Sequence, residues 1–81
     1  MLVTVRLFAR LREIADAGEL RVELADGSTV RDVWQALAAR HEGIGPYATS
    51  VSCAVNADYS KMSAPLSDGD EVAFLPPVSG G

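Results

Sequence analysis

Asp68-Gly69-Asp70-Glu71-Val72-Ala73-Phe74-Leu75-Pro76-Pro77-Val78-Ser79-Gly80-Gly81 closes the sequence and reads as three devices in series. Asp68-Gly69-Asp70 has the composition of a turn. Glu71 to Leu75 follows as a strand, with Val72 and Phe74 on one face and Leu75 on the other, because side chains alternate along an extended chain. Pro76 and Pro77 then fix φ near −65° and bias the preceding residues to extended conformations. The chain should therefore leave the sheet without an intervening flexible linker. Fully extended, the six residues from Pro76 to Gly81 reach roughly 20 Å. These features predict a folded domain over residues 1–75 and an extended tail over 76–81 that carries a carboxylate on two residues without side chains.

Working back from that strand, two periods alternate along the chain. Val3, Val5 and Leu7 oppose Thr4, Arg6 and Phe8, which predicts a half-buried strand over Leu2 to Phe8. Leu11, Ile14 and Ala15 fall at helical spacing and predict a short helix over Ala9 to Ala17, with Gly18 as its stop. Leu20, Val22 and Leu24 alternate with charged residues up to Asp26-Gly27, a turn pair. Val30, Val33, Trp34, Leu37 and Ala38 then make one apolar stripe, so the main helix is expected over about 29–41, capped by Thr29 with Asp32. Glu42 to Ser50 shows neither period and reads as a surface loop. Val51 to Asn56 alternates again, and a turn at Ala57-Asp58 would start a short return strand at Tyr59.

One domain of 81 residues has room for a single shared core. One sheet covered on one face by the main helix is the economical packing, giving an α+β fold. With the first and last strands central, the arrangement is a mixed-sheet β-grasp, the ubiquitin-like architecture.

The composition excludes several function classes. A net charge of −4, with seven Lys and Arg scattered singly, argues against nucleic acid, which needs clustered cations. No apolar run approaches the roughly 18 residues of a membrane span, and a cytoplasmic protein is expected. With one His and one Cys, no zinc site of three or four such ligands can be built, and no metal is expected. Cys53 shares the parity of Val51 and Val55, the core side. Asp16, Asp26, Asp32, Asp58, Asp68 and Asp70 are expected mostly to bond local backbone donors at turns and helix ends. No phosphate loop, dinucleotide fingerprint or nucleophile elbow is present.

The carboxyl terminus is thus the one chemically distinctive group. A carboxylate is a poor electrophile, so a partner must first activate it, typically as an acyl-adenylate made with ATP. Glycine suits this, because a chain without Cβ atoms threads a narrow channel and leaves the carbonyl uncrowded.

Leu7-Phe8-Ala9-Arg10-Leu11-Arg12-Glu13, Ala54-Val55-Asn56 and Pro65 through Gly81 carry a family resemblance. The sequence resembles the small, sulfur-carrying subunits of molybdopterin synthase, the MoaD type of ubiquitin-like sulfur carriers. The resemblance implies that an E1-like adenylyltransferase adenylates Gly81 and that a sulfurtransferase persulfide supplies sulfur. Gly81 would become a thiocarboxylate, with Gly80 beside it. The carrier would then donate sulfur to precursor Z, cyclic pyranopterin monophosphate, inside the large synthase subunit, in a heterotetramer. It implies no bound cofactor, and catalytic side chains on the partner. Pro76, Pro77, Val78 and Ser79 would line the approach to the partner's active site. Strand parity separately gathers Phe8, Tyr59 and Leu75 on the sheet face away from the helix, a docking patch. Two alternatives share the same activated terminus: a protein modifier conjugated through Gly81, and a sulfur carrier of the thiamine pathway.

Overall fold

Alternation of apolar and polar side chains builds the first strand of the protein, whose computed structural model describes residues 1–77. Strand β1 spans Leu2–Leu7 and buries Val3, Val5 and Leu7. It ends one residue before the alternation does, because Phe8 turns out of the sheet to precede helix α1, Ala9–Ala15. Gly18 does not stop that helix. Asp16 does, in the left-handed conformation at φ 55°, and the N–H of Ala17 donates to the Arg12 carbonyl at 3.2 Å. Aspartate enters this conformation more readily than most residues with a side chain. Gly18 serves close approach instead: a Cβ there would lie 3.1 Å from the Arg12 guanidinium carbon.

Strand β2, Glu19–Glu23, returns antiparallel to β1. Helix α2, Val30–Arg40, starts as its sequence predicts, with the Asp32 carboxylate accepting from the Thr29 N–H at 2.8 Å and from its hydroxyl at 3.2 Å. The next two orphan donors of the helix are also satisfied: Val30 and Arg31 donate to the carbonyls of Ala64 and Met62 at 3.0 and 2.8 Å. This pins the 62–66 segment across the start of α2.

The segment read as a loop contains a 3₁₀ helix, Glu42–Tyr47. Its repeat is three residues, so Ile44 and Tyr47 fall on one side, and neither a two-residue nor a 3.6-residue period reveals them. Ile44 is fully buried.

Strands β3, Ser52–Val55, and β4, Asp58–Ser60, form a hairpin. Its turn is Asn56-Ala57, one residue earlier than expected, with φ of 50° and 71°. Positive φ at both central positions matches the twist of the strands, and asparagine accepts it readily. Strand β5, Glu71–Leu75, falls where the closing stretch places it.

The sheet order is β2-β1-β5-β3-β4, with β1 and β5 parallel in its interior and the remaining pairs antiparallel. Helix α2 covers one face through Val30, Val33, Trp34 and Leu37, and the Trp34 and Phe74 rings meet edge-on at 5.0 Å. Leu11, Ile44 and Leu66 complete this core. The result is the expected α+β fold of β-grasp type.

Ile44→Ala should cost about 2–5 kcal/mol, since it removes a buried branched side chain and leaves a cavity. Gly45→Ala, one residue on, meets no atom within 4 Å and should stay within about 1 kcal/mol of the parent. Urea unfolding of both variants checks this; equal midpoints would refute the burial assigned to the 3₁₀ helix.

Candidate functional site

The face of the sheet opposite α2 is built by register. Arg6 of β1 pairs with Ala73 of β5, Ala73 with Ala54 of β3, and Ala54 with Tyr59 of β4, so these four side chains form a row across the sheet. The two middle residues are alanines, which leaves a low floor. Phe8, Tyr59, Leu75 and Ala57 stand around it, and the space between them is an open hollow of about 280 Å³. Arg6 and Glu71 complete its lining as the only charged groups in it among the described residues. Phe8 is 40% exposed and Tyr59 80%, unusual for large apolar side chains in so small a domain.

The structure therefore brings Phe8, Tyr59 and Leu75 together, as strand parity predicts. Sequence reasoning did not single out Arg6, Ala54, Ala57, Glu71 or Ala73. A signal for two of them was available: Arg6 precedes Phe8 by two positions and Ala73 precedes Leu75 by two, so each shares its neighbour's face.

Leu75 pairs with Ser52 and ends the sheet at the border of the hollow. Pro76 is partly buried and Pro77 exposed, so the backbone leaves the fold here. The expectations for Val78, Ser79, Gly80 and Gly81 lie outside the described residues. Larger open hollows lie against α1, near Arg12 and Asp16 (about 530 Å³), and beside α2, near Trp34 and Met62 (about 420 Å³). Neither is lined by any residue of β5, so neither borders the point where the chain leaves the sheet.

Residues 5–81 match the ThiS family. The chain belongs to the ThiS family. It is 36% identical to the molybdopterin synthase sulfur carrier subunit of Chlamydomonas reinhardtii, over all of both chains. It is 37% identical to the protein of the same name from Escherichia coli, over 99% of this chain and all of that one. Among solved structures, it superimposes on SAMP1 of Haloferax volcanii with a TM-score of 0.86, at 27% identity and full coverage of both chains. It also matches a chain from the complex of subunits 1 and 2 of the molybdopterin-converting factor of Helicobacter pylori, with a TM-score of 0.69, 26% identity and full coverage of both.

In this ThiS-family chain the hollow is held in shape by side-chain clamps. Asn56 accepts from the Glu71 N–H at 3.0 Å and donates through Nδ2 to Asp70 at 3.0 Å, while its own N–H donates to the Glu71 carbonyl at 2.8 Å. The β3–β4 turn is thereby tied to the start of β5. Asp68 accepts from the Leu2 N–H at 2.7 Å, across the whole length of the chain rather than locally as the sequence predicts. Cys53 is buried, its thiol pushed up by that burial, and its sulfur lies 3.1 Å from the Ser60 carbonyl. It is a core side chain and no nucleophile. Among the described residues no group of three His, Cys, Asp or Glu could hold a metal ion.

The hydrogen bond from Asn56, followed by that from the Ser67 N–H, holds the Asp70 carboxyl below its ordinary value of 3.8. A carboxylate with a depressed pKa stabilises the fold above its unfolded pKa, and that stability is lost as pH falls through the lower folded value. Asp70→Asn should accordingly lower the melting temperature at pH 7 and make it less sensitive to pH in the acid range below 3.8. Thermal melts across that range check this; an unchanged acid slope would remove Asp70 from the clamp.

Proposed function

We propose that this chain is the sulfur carrier subunit of a molybdopterin synthase, working through the carboxylate of Gly81. The family match across residues 5–81, both terminal glycines included, carries the reading. The hollow supports it, because it lies where the chain leaves the sheet and offers a docking face beside the tail.

An E1-like adenylyltransferase joins the Gly81 carboxylate to AMP, releasing pyrophosphate from ATP. The terminal sulfur of a sulfurtransferase persulfide attacks the acyl carbon and displaces AMP. A thiol then attacks the resulting acyl disulfide, leaving a thiocarboxylate on Gly81 and carrying the other sulfur away as a disulfide. Docked on the large synthase subunit, the thiocarboxylate gives its sulfur to precursor Z, and two carriers in turn supply the two sulfurs of the dithiolene. Residues 1–75 serve as the docking domain, and residues 76–81 thread the partner. Pro76 and Pro77 keep the segment extended, Val78 and Ser79 occupy the channel, and Gly80 leaves it uncrowded. The carrier holds no cofactor. The acid–base groups belong to the large subunit. One buried cysteine suits a reducing compartment, and we assign the protein to the cytoplasm.

The likeness to SAMP1 favours one second reading, a modifier conjugated to lysines of other proteins through the same activated carboxylate. Immunoblots of native lysate separate the two: a ladder of high-mass adducts supports the modifier, and free carrier with one partner of constant size supports the synthase.

Incubation with ATP, the adenylyltransferase and a sulfur source should raise the intact mass by the exchange of one oxygen for one sulfur. Removing Gly81 should abolish that gain while leaving the melting temperature unchanged. A carrier whose mass stays constant under these conditions would rule out the proposed chemistry.

A further inference from the structure

The hollow is apolar apart from Arg6 and Glu71. Their charged ends face each other loosely, Nη1 to Oε2 at 4.0 Å, with each side chain 45% exposed. An ion pair this open and this wet contributes little to the stability of the free domain. Its placement is nevertheless well fixed. Arg6 lies inside the sheet between β2 and β5, and the Glu71 backbone is held from both sides by Asn56, at 3.0 Å through its N–H and 2.8 Å through its carbonyl. Other charges stand nearby without lining the hollow: Glu19 lies opposite Arg6 on β2, Arg21 opposite Thr4, Asp58 on β4, and Asp70 is engaged by Asn56 and Ser67. Among the described residues, Arg6 makes an ion pair with Glu71 and with no other carboxylate.

A protein that fills the hollow must strip water from both ends of this pair. At 4.0 Å the two ions do not compensate each other for that loss, and an ion buried without close partners is strongly unfavourable. Matching charges on the partner remove the penalty, and mismatched ones enlarge it.

We propose that Arg6 and Glu71 are the specificity-determining pair of the docking face. They admit the large synthase subunit because it flanks its apolar protrusion with a carboxylate facing Arg6 and a cation facing Glu71. The inference rests on the preceding reading of the hollow as the face that meets the large subunit, and adds which residues select that partner and by what charge pattern.

The test measures binding of the full chain to the large subunit encoded in the same genome, by calorimetry at low and high salt. Arg6→Ala and Glu71→Ala should each weaken binding about ten-fold or more, because each leaves the facing charge of the partner buried without its counterpart. The decisive variant is the exchange Arg6→Glu with Glu71→Arg. It preserves a pair within the chain, yet presents both charges reversed, and should bind at least as weakly as either single variant. All three should keep the parent melting temperature, which separates selection of the partner from a structural role. Parental affinity for the exchanged chain would overturn the proposal while leaving the sulfur-carrier reading intact. A parent chain that shows no binding to the large subunit would overturn both. Sedimentation that shows a second copy of this chain filling the hollow, with the exchange dissociating it, would also overturn the proposal.

Discussion

The parallel pairing of β1 with β5 is the constraint on which the rest of the molecule depends. Parallel neighbours require a long crossover, and here the crossover is nearly the whole chain, from Phe8 to Asp70, including both helices and the hairpin. Register must then be set by contacts remote in sequence. Asp68 accepts from the Leu2 N–H, Gly69 donates to the Leu2 carbonyl, and Thr4 donates to the Asp70 carbonyl, at 2.7, 2.8 and 3.0 Å. Gly69 sits at φ +88°, a conformation glycine enters without strain, which lets the turn fold back onto β1. With these bonds made, Val5 faces Val72 and Leu7 faces Phe74.

That register decides both faces at once. A shift of one residue would exchange the sides of every β5 residue, sending Phe74 to solvent and Leu75 into the core. In the observed register Phe74 meets Trp34 on α2, while Ala73 and Leu75 line the hollow on the opposite face. Core and hollow are therefore two readings of the same five residues, and the interaction that stabilises one positions the other. The hollow exists because Ala54 and Ala73 are small where the neighbouring Phe8 and Tyr59 are large; larger residues at those two positions would fill it without disturbing the core.

Much of this was legible in the sequence, wherever a local rule and the final environment agreed. Alternation identified β1 and β5 and placed Phe8, Tyr59 and Leu75 on a common face. The stripe from Val30 to Ala38 gave α2, and Thr29 with Asp32 gave its start. The misreadings share a physical cause. Ile44 is buried by a three-residue repeat too short to show as a period. Glycine's type alone points to Gly18 as the helix stop, whereas Asp16 adopts the left-handed conformation and Gly18 makes room for Arg12. The hairpin turn moved one residue because Asn56 bonds to β5, a partner fifteen residues away. Asp68 was expected to bond locally and instead reaches Leu2. Long-range bonds leave no mark on local pattern.

Chemistry placed on a main-chain carboxylate changes what the fold is asked to do. In the proposed role no side chain of the domain needs an altered pKa or a reacting partner, and the depressed carboxyl of Asp70 serves the clamp at the start of β5. The domain contributes position. Once the hollow is occupied, six residues tether Gly81 to the border of the docking face, and a reach of roughly 20 Å confines it at an effective concentration of about 50 mM. The confinement is tighter than this sphere implies, because Pro76 and Pro77 bias the direction in which the segment leaves Leu75. Affinity at the hollow therefore converts directly into occupancy at the partner's active site. A sulfur carrier must also leave after each transfer, so an apolar hollow with a weak, wet ion pair at its edge suits the task better than a fully complementary and permanent interface would.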